Sequence, residues 1–105
     1  MANSAKVLFR GAATTTLTTN LYTVPAATTT VITSIAVANT TATAGTFTLS
    51  IGASGSEVAL FDAVAIDADA TVVIDLKQVL PTTHVIDGGA SATTINFHIS
   101  GMEIA

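Results

Sequence analysis

The stretch from Leu21 to Thr40, LYTVPAATTTVITSIAVANT, most constrains what this chain can fold into. Pro25 has no N–H to give to a ladder, so a strand over Leu21–Val24 must end there, and Pro25-Ala26-Ala27 makes the turn. The run that follows is long, uncharged and dense in Val, Ile and Thr. Branching at Cβ restricts χ1 and suits a pleated surface. By simple alternation Val31, Thr33, Ile35 and Val37 share one face, and Ile32, Ser34, Ala36 and Ala38 the other. Both faces are apolar or small, so Thr28–Asn39 reads as a central strand covered, at least in part, on both sides. Ile32, Ser34 and Ala36 are expected to lie against protein, either an inner sheet or a neighbouring subunit.

The rest of the chain repeats this texture. Lys6–Arg10 is a short strand with Val7 and Phe9 on one face and Lys6, Leu8 and Arg10 on the other. Thr14–Asn20 reads as an edge strand, or a wall facing a neighbour, with only Leu17 to bury. Thr46–Ile51 alternates without fault and gives Phe47, Leu49 and Ile51 to the core. Gly52–Ser56 is the clearest hairpin turn, since two glycines are free to take positive φ. Glu57–Asp67 reads as a strand with a bulge or split near Asp62; a helix over Glu57–Ile66 is the competing reading. Thr71–Leu76 alternates, Lys77–Leu80 ends at Pro81, and His84–Asp87 is closed by Gly88-Gly89. In the last strand Ile95, Phe97 and Ile99 fall out of phase with Met102 and Ile104, which predicts a bulge at Gly101. The expected fold is all-β: an antiparallel, jelly-roll-like β-sandwich of eight or nine short strands. At 105 residues it forms one domain, 21–105, with residues 1–20 as an N-terminal strand or arm that contributes assembly contacts.

Charge is scarce and uneven. Only 10% of residues are charged, against roughly 25% in average soluble proteins. Between Arg10 and Glu57 lie forty-six uncharged residues, and threonine, twenty in all, fills much of the gap. Either this half is a hydroxyl surface hydrated by water, or much of it faces other protein. The three bases, Lys6, Arg10 and Lys77, are too few and too scattered to neutralise phosphates, so no nucleic-acid partner is expected. The chain has no cysteine, which excludes disulfides, thiolate metal sites and cysteine nucleophiles. The N-terminal MANSAKVLFRG lacks a signal-peptide pattern, and no window approaches a membrane-spanning length, so a cytoplasmic, membrane-free protein is expected.

No constellation carries chemistry. His84 and His98 could join an Asp around zinc, but no ligand spacing recurs. Ser54 or Ser56, a histidine and an aspartate can be combined on paper, without the strained elbow that exposes a nucleophilic serine. Asp62, Asp67, Asp69 and Asp75 form the densest acid cluster; it lacks the calcium-loop pattern and reads as a solvated face. Among Phe9, Tyr22, Phe47, Phe61 and Phe97, only Tyr22 is a candidate for exposure. No catalytic, cofactor-binding or metal residue is therefore expected.

Leu21-Tyr22-Thr23-Val24-Pro25-Ala26 followed by Val31–Asn39 resembles a pattern in small virion proteins of tailed bacteriophages. Thr46–Ile51, Val73-Ile74-Asp75-Leu76 and Ile95–Gly101 are similar to the same proteins. Thr28–Thr30 departs from that pattern, since such proteins often place Gly or a charged residue after Pro-Ala. The resemblance implies a capsid decoration or cement protein, a homotrimer on the phage head, with the major capsid protein as partner and assembly in the host cytoplasm. Alternatives are a tail, neck or fibre-associated subunit and, from another class, a carbohydrate- or cell-surface-binding module, for which Tyr22 is the single plausible aromatic.

Overall fold

In the computed structural model, which describes residues 3–105, the alternating runs become eight strands. They are β1 (Asn3–Ala12), β2 (Asn20–Thr23), β3 (Thr29–Asn39), β4 (Gly45–Ala53), β5 (Val58–Ile66), β6 (Thr71–Leu80), β7 (His84–Ala90) and β8 (Ile95–Ile104). Two four-stranded antiparallel sheets result, in the orders β1-β8-β3-β6 and β2-β7-β4-β5. The pairs β1–β8, β2–β7, β3–β6 and β4–β5 are nested, so the chain is one antiparallel ribbon folded back at the β4–β5 turn. Wrapping the ribbon adds the β3–β8 and β4–β7 ladders and lays one sheet over the other. The turn that reverses the ribbon is the glycine-rich one, with Ser56 N–H donating to Ala53 O at 2.8 Å.

The core lies between the sheets. Ile32, Ile35, Val37, Phe97 and Ile99 come from one sheet and Phe47, Leu49, Ile66 and Ile86 from the other, all essentially fully buried. Phe47 sits at its centre, edge-on to Phe97 with centroids 6.2 Å apart and tilted on Phe61 at 6.1 Å. Offset and edge-to-face rings of this kind add about 0.5–1.5 kcal/mol per pair beyond their burial. β3 is flanked by β8 and β6, the central position its sequence predicted.

Several local readings need correction, and most fail at a bulge. The β1 ladder slips between Val7 and Phe9, so Leu8 turns into the core while Val7 is 44% exposed. The β3 ladder slips between Ile32 and Ser34; Ile32 and Ile35 both face inward, whereas Ser34 and Ala36 lie half-buried on the outer face. No slip occurs at Gly101 itself. β8 keeps its phase there, Met102 points outward, and Gly101 lies where β1 and β3 bulge beside it. A Cβ on Gly101 would meet Val31 O at 2.3 Å, so the glycine accommodates the kinked neighbours. The slip predicted near Asp62 is present: Ala63 takes φ 49° and its N–H donates to Thr48 Oγ1 at 3.0 Å. Glu57–Ile66 is strand, not helix, from Val58 onward.

Two further readings fail for a shared reason. Thr14–Asn20 is not an edge strand but largely a loop, and Leu17 is 47% exposed. Nor do Gly88 and Gly89 close β7; they lie within it. The loop is laid against them: Gly88 N–H donates to Thr19 O and Ala90 N–H to Thr14 O, both at 2.9 Å. A Cβ on Gly89 would stand 2.4 Å from Thr16 O, so only glycine lets the loop approach. The Thr14 and Thr19 hydroxyls, 2.6 Å apart, both reach the Thr16 carbonyl. The threonines here act as local caps for a turn backbone.

Candidate functional site

The outer face of the β1-β8-β3-β6 sheet is the chain's most unusual surface. Register places Ala5, Met102, Val31 and Val79 side by side across all four strands. The next rows are Val7, Ser100, Ser34 and Asp75, then Arg10, His98, Ala36 and Val73. Val73, Val79 and Val7 are 67%, 64% and 44% exposed, and Met102 37%. These four account for most of the exposed large hydrophobic side chains among the described residues. Aligned bulges in β1 and β3 crease this face into two shallow grooves of about 360 and 410 Å³ on either side of Thr33. Val7, Met102 and Val79 cluster with Ala5 and Val31 between them, whereas Val73 is set apart by Ser34, Asp75 and Lys77; a cluster of exposed apolar residues, unlike isolated ones, marks a surface that meets something.

The bases gather on the same sheet, together with Asp75 and Glu103. Lys6 and Arg10 lie on β1 and Lys77 on β6, so every base belongs to this sheet. Glu57, Asp62, Asp67 and Asp69 line β5 and its two turns at the edge of the other sheet. Of the acid cluster predicted from sequence, Asp62, Asp67 and Asp69 form an exposed rim, whereas Asp75 lies apart from them on β6 in the base-bearing sheet. Asp69 takes φ 55° in the β5–β6 turn, with its N–H donating to Thr41 O at 2.9 Å.

A carboxyl pair that the sequence did not single out lies on the outer face of the second sheet. Asp87 on β7 is 8% exposed, and its Oδ1 is sealed from solvent without a hydrogen-bond partner. Asn20 of β2 and Ser50 of β4 flank it in register. The β4–β5 turn that carries Glu57 folds closely over Gly52, at φ 145°, two residues along β4 from Ser50. A Cβ at Gly52 would meet Glu57 Cα and Ser56 O, each at 3.2 Å. Burial, then a hydrogen bond and repulsion from Glu57, raise Asp87 to a pKa of about 6. Backbone N–H groups of Glu57 and Gly55, and then Asp87, lower that of Glu57. One proton shared between two carboxyls gives this opposite pair of shifts.

The remaining sequence candidates do not converge. His84 begins β7 and lines a groove of about 310 Å³ between β5 and β6, whereas His98 is on β8 in the opposite sheet. Neither Ser54 nor Ser56 hydrogen-bonds to a histidine among the described residues, where no group of three His, Asp or Glu side chains could hold a metal ion either. Tyr22 is no exposed platform. Its hydroxyl donates to Glu103 and lies 2.8 Å from Thr30 Oγ1, and burial first, then the Glu103 hydrogen bond, raise its pKa to about 12.

No family model matches the chain, nor does any curated protein. Solved structures do, at low identity. The VP2 subviral particle of infectious bursal disease virus matches with a TM-score of 0.53 and 10% identity, over 97% of this chain and 31% of that one. The Gx strain of the same virus gives 0.52 and 11%, over 97% and 31%. The globular domain of zebrafish complement 1qA gives 0.51 and 10%, over 96% and 95%. The fold is a jelly roll. This chain spans less than a third of the viral chains but nearly all of the complement domain. A fold shared by a virus particle and a complement domain does not by itself choose a function.

Proposed function

We propose that the chain is a non-enzymatic virion structural subunit, a decoration or cement protein that trimerises on the phage head and grips the major capsid protein. The observation that carries this reading is the apolar outer face of the β1-β8-β3-β6 sheet, with Val7, Val73, Val79 and Met102 exposed together. The jelly-roll fold, shared with a chain of a subviral particle, supports it, and no catalytic set converges among the described residues. Sister copies are the occupants the charge pattern favours. A cyclic trimer needs a head-to-tail contact between two different patches. Here a base-bearing sheet and an acid-lined β5 edge supply complementary ones. The arm over residues 5–20 and the hydroxyl-bearing stretch Thr28–Ser50 would then meet the shell. Binding only the expanded shell stabilises that shell by RT ln(1 + [L]/Kd) per site.

Sedimentation-equilibrium and co-pelleting with expanded phage shells test the proposal together. A trimer that pellets with shells and raises their melting temperature is expected. A monomer that stays in the supernatant overturns it. Six- or twelve-fold rings would instead favour the tail or neck reading.

A further inference from the structure

We propose that two copies of the chain join edge to edge through β6, in antiparallel register about Leu76. The contact is two-fold, separate from the head-to-tail contact of a cyclic trimer, and does not rest on that reading. β6 closes the β1-β8-β3-β6 sheet and pairs with β3 alone among the described residues, so its other side can extend the ladder. The other three edges are shielded. β1 slips between Val7 and Phe9 and carries Lys6 and Arg10. β2 is four residues long, and Pro25 follows closely. β5 carries Asp62, and its ladder slips beside Ala63, at φ 49°. Short strands, slips and charges are how sheet edges avoid pairing. β6 has ten residues, and although its ladder with β3 slips beside Thr33, exposed and half-buried positions alternate without fault from Thr71 to Val79.

The charge pattern selects a second copy as the occupant. The outward-facing side chains run Val73, Asp75, Lys77, Val79, an order complementary to its own reverse. With Leu76 on the two-fold axis, each Asp75 faces a Lys77 of the sister copy, and each Val73 a Val79. Directly opposite residues of an antiparallel pair stand about 4.5–5.5 Å apart at Cβ, where opposite charges attract and apolar side chains cover each other. Val73 and Val79 are 67% and 64% exposed, and neither Asp75 nor Lys77 has an ion-pair partner among the described residues. β3 beside them carries no charge. Sliding the pair by two residues either way sets Asp75 against Asp75 or Lys77 against Lys77, so charge also fixes the register.

The chain has no cysteine, so introduced thiols report that register directly. In an oxidised equimolar mixture of Asp75→Cys and Lys77→Cys chains, disulfide-linked heterodimers should dominate well beyond the statistical proportion, read by mass spectrometry. Sedimentation velocity supplies the second arm. Asp75→Lys should weaken association at least about tenfold, by setting like charges opposite each other twice. Adding Lys77→Asp to the same chain should restore it. Both side chains are exposed, so circular dichroism melts of these variants should match the wild type. Links in statistical proportion, no links at all, or a double swap that fails to restore association overturns the contact. A trimer indifferent to both substitutions overturns it as well, and leaves the trimer reading standing.

Discussion

Tyr22 on β2 donates its hydroxyl to Glu103 on β8, joining the two sheets between residues 81 positions apart. Thr30 of β3 shares the hydroxyl, and Glu103 also meets Lys6 of β1 at 3.4 Å. Four strands are thereby tied at one end of the sandwich. Tyr22→Phe leaves Glu103 and Thr30 each one partner short, at a cost of about 1–2 kcal/mol. Urea unfolding should show a lower midpoint with an unchanged slope. The Lys6 contact is half exposed, so Lys6→Ala should cost under about 1 kcal/mol.

Phe47 is fully buried and packs against both Phe61 and Phe97. Phe47→Ala should destabilise by about 3–5 kcal/mol, a large share of what a small domain has. Calorimetry should find Tm lowered by at least 10 °C, at about 4–8 °C per kcal/mol.

Glycines separate by what surrounds them. Gly88→Ala places a Cβ 2.5 Å from Thr48 O and 2.6 Å from Leu49 Cδ2, both packed, and should abolish a stable fold. Gly55→Ala meets nothing within 4 Å and bears only the strain of φ 87°, about 1 kcal/mol. Circular dichroism melts of the two variants should differ widely.

Stability should peak near pH 4, where the gain from ionising Glu57 balances the loss at Asp87. Asp87 binds its proton more tightly folded than unfolded, so its contribution is present in acid and is lost as pH rises from about 4 to about 6. Glu57 acts oppositely: its lowered pKa contributes stability above the ordinary value near 4.5 and loses it as pH falls. The fall above pH 4 should be on the order of 2 kcal/mol. Asp87→Asn should flatten that limb in a pH series of chemical denaturation, leaving the acid limb in place.

Val73→Lys and Val79→Lys change side chains that are 67% and 64% exposed, so folding should shift by no more than about 0.5 kcal/mol. Association of copies should be lost. Sedimentation velocity at micromolar concentration distinguishes a weakened assembly from a misfolded chain.

Strand content, the central place of β3, the β4–β5 turn and the core phenylalanines were all legible in the chain, because alternation, proline and glycine act over a few residues. The β3 faces show where that reading stops. Ile32 and Ile35 both point inward because the ladder slips at Thr33, and a slip depends on the neighbouring strands. Gly88 and Gly89 read as a stop, yet they sit within a strand where a distant threonine loop needs room.

By itself, then, the sequence determined an all-β chain with one strong hairpin and an uncharged, threonine-rich half. Period-two patterning and turn chemistry are local, and no helix could satisfy them. Only the tertiary structure decided which small residues face outward, and which acids meet. Asp87 and Glu57 lie thirty positions apart and look like two ordinary surface carboxylates. Wrapping the ribbon, with Gly52 at its turn, buries one against the other and makes them a pair.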